Sequence, residues 1–172
     1  MEEVILVDEL DNPIGLMEKL EAHEKALLHR ALSVLIFNSK NEFLLQQRSD
    51  NKYHSPGLWT NSCCSHPRPN ETVEEAAKRR LKEEMGMSCE ILKLFHFMYK
   101  AEFENGLTEH ELDHVFVGKT DSLPNLNPDE AKSYRYLDLE ALISEIEEKP
   151  ELFTPWFKII IHQHIEKIKN WL

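Results

Sequence analysis

The chain has 172 residues and a formal net charge of −11, and 41% of its residues are hydrophobic while 30% are charged. This composition is typical of a soluble globular protein, and the length allows one domain with a substantial core. So acidic a chain is a poor partner for nucleic acid. No apolar run reaches the roughly 18 residues that a membrane helix needs, and the acidic start MEEVILVDELDNP is unlike a signal or transit peptide. We therefore expect a single domain over residues 1–172, located in the cytoplasm.

The first third of the chain predicts strands and turns. VILVD (4–8) and an extended segment near 14–19 lie on either side of a DNP turn. RALSVLIFN (30–38) and FLLQQR (43–48) flank the turn NSKNE and predict a hairpin. Residues 49–61 contain a Pro-Gly pair and predict a loop.

The clearest predicted helix follows this loop. Asn70 is the expected N-cap, and Glu71 and Glu74 are expected in the first turn, where the helix dipole favours acidic side chains. Apolar residues then recur at helical spacing, and Gly86 is expected to end the helix.

The rest of the chain predicts more strands and two late helices. Strands are expected near 91–102, 109–118 and 134–138, and helices near 138–148 and 155–170. Mixed strands, a central helix and late helices together favour an α+β fold, an α/β sandwich in which mixed sheets are flanked by helices.

The cysteines are unsuited to a disulfide framework. Cys63 and Cys64 are adjacent, and Cys89 makes the count odd. A reducing compartment is therefore expected.

The segment ETVEEAAKRRLKEEMGM (71–87) resembles the Nudix signature, with two departures. Ser65 stands where the first glycine belongs, and Arg80 stands where a glutamate belongs. Residues one turn apart on such a helix share a face, which in Nudix hydrolases collects carboxylates that hold Mg²⁺ against a diphosphate. Arg80 weakens that metal cluster and supplies a phosphate-binding cation instead. For the glutamates alone, a solvated charged helix is an equally good interpretation.

Several further stretches resemble one family, the type I isopentenyl-diphosphate isomerases, which have a Nudix-like fold. They are MEKLEAH, LHRALSVLIFN, PGLWTNSCCSHP, EEAAKRRLKEEMG, TEHEL and FTPW. The resemblance extends from about residue 4 to 170. WTNSCCSHP together with TEHEL is highly specific, whereas the degenerate Nudix segment alone is weak.

The resemblance implies an allylic isomerisation of isopentenyl diphosphate to dimethylallyl diphosphate in isoprenoid biosynthesis. An unactivated alkene must be protonated to a tertiary carbocation and must lose another proton, so a strong acid, an opposed base and exclusion of water are needed. The resemblance assigns the metal-bound acid to Glu111, the thiolate base to Cys64, help in proton delivery to Tyr99, and π-stabilisation of the cation to Trp156. Cys63 is expected to be a packing residue.

The resemblance also implies a metal centre and a diphosphate site. The expected ligands of one Mn²⁺, Zn²⁺ or Mg²⁺ ion are His23, His29, His66, Glu109 and Glu111. Glu84 is expected to help hold a second, substrate-bound Mg²⁺. The expected diphosphate-binding cations are Lys19, Arg48, Lys52 and Arg80. The remaining histidines, including His54, are given no role.

Two other functions stay open at this point. One is a Nudix-type hydrolase of a diphosphate substrate, which Arg80 disfavours. The other is a non-catalytic domain that senses a metal or a ligand. The expected partner is a small prenyl diphosphate, with neither nucleic acid nor membrane, and the expected oligomeric state is a monomer or a weak homodimer.

Overall fold

The computed structural model describes residues 2–172. The strands are β1 (Glu3–Val7), β2 (Pro13–Glu18), β3 (His29–Phe37), β4 (Phe43–Arg48), β5 (Trp59–Thr60), β6 (Cys63–Ser65), β7 (Ile91–Glu102), β8 (Thr108–Lys119) and β9 (Ala131–Leu137). The helices are α1 (Lys19–Glu24), α2 (Val73–Met85), α3 (Leu139–Glu148) and α4 (Pro155–Trp171), with a 3₁₀ turn at Pro150–Leu152. Within residues 2–172, none of the helices combines the length and apolar character that a membrane crossing requires.

Strand β3 is the centre of the sheet. It pairs in parallel with β8 along its whole length, beginning at His29 and Glu111. On its other edge it pairs antiparallel with β6, where Ser33 lies opposite Cys64. Strand β7 pairs antiparallel with β8. The middle of the sheet therefore has the order β7-β8-β3-β6, which puts β8 and β6 on opposite sides of β3.

The two faces of β3 enter different cores, as strand alternation requires. Leu32, Val34 and Ile36 pack with α2 on one face. Leu35 and Phe37 pack with α3 and α4 on the other. The sheet is thus covered by helices on both faces, which confirms the predicted α+β sandwich.

The predicted hairpin of β3 and β4 is present, but its pairing is confined to the end next to the turn. The two strands meet at Phe37 and Phe43 and then diverge. Strand β4 continues antiparallel with β9 and β5, because β6 takes up the edge of β3 that a regular hairpin would use.

The start of α2 differs from the prediction by two residues. Thr72 is the N-cap and forms a reciprocal capping box with Glu75, while Asn70 lies before the helix with φ 65°. Glu71 also lies outside the helix. The hydroxyl of Thr72 and the carboxylate of Glu75, three residues later, satisfy two backbone donors at once. Thr72 is therefore a better N-cap than Asn70. Gly86, with φ 64°, ends the helix as predicted.

Candidate active site and metal centre

The site lies where one face of the sheet changes from apolar to polar. Along β8, Val117 and Val115 belong to the core under α3 and α4, and Asp113, Glu111 and Glu109 continue the same face. The neighbouring strands β3 and β7 add His29, Ser33 and Tyr99. The alternation that builds the core therefore also aims these polar side chains at one place.

A cleft opens at this polar end. The predicted site residues that line it are Lys19, Arg48, Lys52, Cys64, His66, Arg80, Tyr99, Glu109, Glu111 and Trp156. These residues come from segments far apart in the sequence, and the fold brings them together.

Three histidines converge on one oxygen of Glu111. Oε1 of Glu111 lies 2.9 Å from Nε2 of His66, 3.4 Å from Nε2 of His29 and 3.8 Å from Nε2 of His23. All four side chains are buried. The ligand atoms lie within 4.8 Å of one another, close enough to share one metal ion.

The backbone fixes the ring orientation of two of these histidines. Nδ1 of His23 lies 2.6 Å from the carbonyl oxygen of Lys19, and Nδ1 of His29 lies 2.8 Å from that of Leu27. If Nδ1–H donates to the carbonyl, the Nε2 lone pairs face the carboxylate of Glu111, and neither Nε2 atom has a hydrogen-bond partner in residues 2–172. Lone pairs and a carboxylate repel each other, whereas a cation between them attracts all of them. The donor set therefore fits a divalent metal ion.

Glu109 stands at the edge of this set. Its Oε2 accepts a hydrogen bond from the Tyr99 hydroxyl at 3.0 Å, and its Oε1 lies 3.2 Å from Nε2 of His54. Its ligand atom is within 4.8 Å of those of His23 and His54. Burial and the neighbouring Glu111 raise the pKa of Glu109 well above its usual range.

Tyr99 links the two glutamates. Its hydroxyl lies 2.6 Å from Oε2 of Glu111 and 3.0 Å from Oε2 of Glu109. Burial and both carboxylates raise the pKa of Tyr99, so the phenol stays protonated and acts as a donor. Tyr99, to which the resemblance assigns help in proton delivery, therefore contacts the carboxyl of Glu111 directly.

The adjacent cysteines point to opposite faces of β6. Cys63 is fully buried in the core beside α2, and Cys64 lines the cleft. Nη1 of Arg48 lies 3.7 Å from Sγ of Cys64. Burial raises the pKa of Cys64 to about 12, and Arg48 opposes that shift. A thiolate at Cys64 therefore depends on positive charge in the cleft.

Trp156 is held against the cleft by two polar groups. Its indole N–H donates to Oδ1 of Asn61 at 3.1 Å. The guanidinium of Arg48 lies 5.3 Å from the ring centroid, within range of a cation–π contact. The indole is buried at the N-terminal end of α4.

The cations at the other end of the cleft are already paired with carboxylates. Arg80 donates to Glu83 at 2.7 Å, to Glu84 at 2.7 Å and to Glu130 at 2.8 Å. Lys52 also pairs with Glu130. Burial would raise the pKa of Glu130, but the hydrogen bonds from Lys52 and Arg80 lower it to about 2.

Glu84 is buried behind this group and does not line the cleft among the described residues. Its second oxygen accepts from Nε2 of Gln46 at 2.9 Å. Lys19, which also lines the cleft, pairs with Glu2 at 3.1 Å.

Sequence analysis missed several residues at the site, among them His54 and Glu130. His54 lines the cleft, and Glu130 joins two of the predicted diphosphate-binding cations. His54 lies in a loop and Glu130 directly precedes β9, so neither carries a periodic signal. Only the tertiary structure brings them to the site.

Comparison with known proteins gives consistent results. The NUDIX domain family matches residues 27–157. The isopentenyl-diphosphate Delta-isomerase of Pectobacterium atrosepticum is 53% identical over 157 residues, covering 91% of this chain and 88% of the relative. Isopentenyl-diphosphate Delta-isomerase 2 of Photorhabdus laumondii is 47% identical, covering 99% of this chain and 98% of the relative.

Solved structures share the fold at low sequence identity. A Deinococcus radiodurans protein superposes with a TM-score of 0.78 at 21% identity, covering 94% of this chain and 98% of that chain. The MutT protein of Methanosarcina mazei gives 0.69 at 22% identity, with 83% and 96% covered. These likenesses confirm the predicted Nudix-like fold.

Proposed function

The chain belongs to the NUDIX domain family and, within it, to the isopentenyl-diphosphate Delta-isomerases, and from this premise we propose how its cleft carries out the reaction. The substrate is isopentenyl diphosphate and the product is dimethylallyl diphosphate. The observation that carries the assignment of roles is that Cys64 and Glu111 enter one cleft from strands on opposite sides of β3. This arrangement suits an acid and a base acting on opposite sides of a short hydrocarbon chain.

Glu111 is the acid in this proposal and Cys64 is the base. Glu111 must start the reaction protonated, and its carboxyl, hydrogen-bonded to Tyr99 at 2.6 Å, gives that proton to the terminal alkene carbon. The resulting tertiary cation loses a proton from the carbon on its other side to Sγ of Cys64, and the double bond moves by one position. One proton is gained and one is lost, so no redox partner is required. After turnover, proton exchange with solvent reprotonates Glu111 and restores the thiolate of Cys64.

His23, His29, His66, Glu109 and Glu111 would hold the metal ion in this proposal. The ligand atoms of His23, His29, His66 and Glu111 converge, and that of Glu109 lies close to that of His23. This arrangement and the unpartnered Nε2 atoms of His23 and His29 among the described residues support a divalent ion at this position. Mn²⁺, Zn²⁺ and Mg²⁺ all suit the mixed nitrogen and oxygen donors. Such an ion supplies positive charge that binds the carboxyl of Glu111 and favours a thiolate across the cleft.

The protein must also protect the cation from water and from side reactions. The indole of Trp156 offers a π face in a buried position, and the hydrogen bond to Asn61 holds its orientation. Tyr53 and Tyr99 line the cleft together with Trp156, and their rings would limit the access of water to the cation.

Lys19, Arg48, Lys52 and Arg80 bind the diphosphate in this proposal. Glu84 and Glu130 already surround Arg80, so the added negative charge of a diphosphate requires a counterion there. A second Mg²⁺ brought by the substrate would meet this need. Glu84, the expected ligand, would have to exchange its hydrogen bonds with Arg80 and Gln46 for this ion. Arg80 in place of a helix carboxylate supports binding of the diphosphate over its hydrolysis.

Incubation with isopentenyl diphosphate and Mn²⁺ or Mg²⁺ tests the function. Proton NMR should show dimethylallyl diphosphate, and a colorimetric assay should show no release of phosphate. Phosphate release without the allylic product would support the hydrolase instead. We further propose that the protein is cytoplasmic, since a free catalytic thiol favours a reducing compartment. We also propose that it forms one domain over residues 1–172 and is a monomer or a weak homodimer.

A further inference from the structure

His54 occupies a defined position between the metal centre and the aromatic wall of the cleft. Its side chain is buried, and its Nε2 lies 3.2 Å from Oε1 of Glu109. The ring stacks on Phe103, with centroids 5.0 Å apart and planes at 27°. It also meets Trp156 edge-on at 5.9 Å. The imidazole is therefore held on two sides by rings, with one nitrogen aimed at a predicted metal ligand.

The loop that carries His54 is fixed from both sides of the cleft. The guanidinium of Arg48 donates to the carbonyl oxygens of His54 and Ser55, each at 3.1 Å. From the β7–β8 hairpin, the side-chain amide of Asn105 donates to the carbonyl oxygen of Tyr53 at 2.9 Å. These contacts restrict the backbone at residue 54, so the direction of its side chain is set by the fold.

The atoms around His54 indicate which of its two ring nitrogens carries the proton. A neutral imidazole has a single N–H, which can lie on either ring nitrogen. Nδ1 has no partner within residues 2–172, and the carboxylate beside Nε2 can only accept when ionised. With its proton on Nε2, the ring can donate to Oε1 of Glu109, 3.2 Å away. The other oxygen of Glu109 is held by Tyr99 at 3.0 Å.

We propose that His54 is a positioning residue for the metal centre, because it holds one oxygen of Glu109 while Tyr99 holds the other. The inference rests on the metal centre of the proposed function. Each carboxylate oxygen has a further lone pair, so Glu109 can accept both hydrogen bonds and still ligate an ion beside His23. Partners of this kind typically contribute 10–100-fold to metal affinity.

A competing role for His54 is simple ring packing between Phe103 and Trp156. Two substitutions separate the roles. His54→Phe keeps a flat ring and removes the N–H, whereas His54→Gln removes the ring and keeps an amide N–H that reaches a similar distance. His162→Phe, at an exposed histidine on α4, is the matched control.

The experiment measures the dissociation constant for Mn²⁺ by equilibrium dialysis of the full chain, with thermal unfolding as a check on folding. His54→Phe should raise the constant roughly 10–100-fold, while His54→Gln and His162→Phe should stay close to the wild type. His29→Ala, which removes a direct ligand, serves as the reference for a damaged centre.

The outcomes distinguish this inference from the proposed function. If His54→Phe binds Mn²⁺ like the wild type while His29→Ala does not, the role of His54 is refuted and the metal centre stands. If His54→Gln is as weak as His54→Phe, the hydrogen bond is not the cause and the inference also fails. If the wild type binds no Mn²⁺, the metal centre and the role of His54 fall together. If the expected ranking holds but the wild type does not isomerise its substrate, the role of His54 is supported and the proposed function fails.

Discussion

The two ends of the cleft present opposite electrostatic situations. We call them the metal end (His23, His29, His66, Glu109 and Glu111) and the diphosphate end (Lys52, Arg80, Glu84 and Glu130). At the metal end, nitrogen atoms converge on a carboxylate with no positive side chain among them in the described chain. At the diphosphate end, Arg80 and Lys52 are already neutralised by carboxylates.

This difference shows how an acidic protein can bind a diphosphate without a strongly positive pocket. The metal end gathers acceptors that only a cation can satisfy together. The diphosphate end keeps its cations ordered by ion pairs, so an incoming anion must displace Glu130 or be joined to the carboxylates through Mg²⁺. Each end therefore requires a different cation. A substitution at one end should change binding there and leave binding at the other end unchanged.

The largest expected effect comes from the thiol between the two ends. Cys64→Ala should lower isomerase activity by roughly 10²–10⁴-fold, the contribution typical of a general acid or base. Bound metal and affinity for inorganic diphosphate should stay unchanged, because the thiol belongs to neither end. Cys63→Ala is the matched control, since Cys63 packs beside α2, and it should lower the melting temperature while keeping activity. A Cys64→Ala variant with normal turnover would contradict the assignment.

A substitution at the metal end should leave the diphosphate end intact. His29→Ala removes one ligand and should weaken Mn²⁺ binding by more than roughly 100-fold, above the usual effect of an indirect partner. Activity should fall in parallel, while isothermal titration with inorganic diphosphate should give the wild-type affinity. The exposed His96 on β7 provides the control His96→Ala. Equal loss in both variants would place the metal elsewhere.

Two neighbouring arginines test the diphosphate end. Arg80→Ala leaves the buried Glu84 unpaired, which typically costs about 3–5 kcal/mol of unfolding free energy. It should also raise KM, because a phosphate-binding cation is lost. Arg79 pairs with Glu71 and Glu83 on the outer side of α2. Arg79→Ala should therefore cost about 1 kcal/mol or less and leave KM unchanged, as denaturant titration and steady-state kinetics can show.

If Arg80→Ala keeps the wild-type KM, the cations of this end do not bind substrate. If Arg79→Ala raises KM as much as Arg80→Ala, the effect belongs to the helix as a whole.

The smallest expected effect is a pH dependence at the same end. The pKa of Glu130 is about 2 in the folded chain, because Lys52 and Arg80 outweigh the effect of burial, against an ordinary value of 4.5. A lowered folded-state pKa adds stability above the ordinary value, and this stability is lost as the pH falls towards 2. Glu130→Gln should therefore be less stable than the wild type at pH 7, and the difference should shrink between pH 5 and pH 2.

Urea unfolding across that pH range measures this difference. Glu148→Gln, at an exposed position on α3, is the control and should change stability little. A gap between Glu130→Gln and the wild type that persists at pH 2 would mean that the two ion pairs are not its source.

The long elements were predictable because their periodicity is strong. Strands β3 and β8 span nine and twelve residues and are largely buried, and α2 and α4 keep an apolar face over several turns. The short elements α1 and β6 were not predicted, because six and three residues carry too little periodic signal. The Asn70 cap was wrong because the local hydrogen bonds of Thr72 and Glu75 compete for the same helix end.

The site residues that lie within sequence motifs were predicted. Those that reach the site only through tertiary contacts were not. WTNSCCSHP and TEHEL supply residues of β6 and β8, and their placement across β3 follows from the pairing of these strands. The partners His54 and Glu130 contact the site from outside those motifs. Their roles depend on a few ångströms of tertiary geometry, which a single sequence does not encode in any local pattern.

A crystal structure with a divalent metal and an unreactive analogue of isopentenyl diphosphate tests the central claim most directly. The account predicts Sγ of Cys64 and the metal-bound carboxyl of Glu111 on opposite faces of the five-carbon chain, with the diphosphate against Arg80 and Lys52. A complex with both groups on one face of that chain, or with the ion far from His23, His29 and His66, would contradict it.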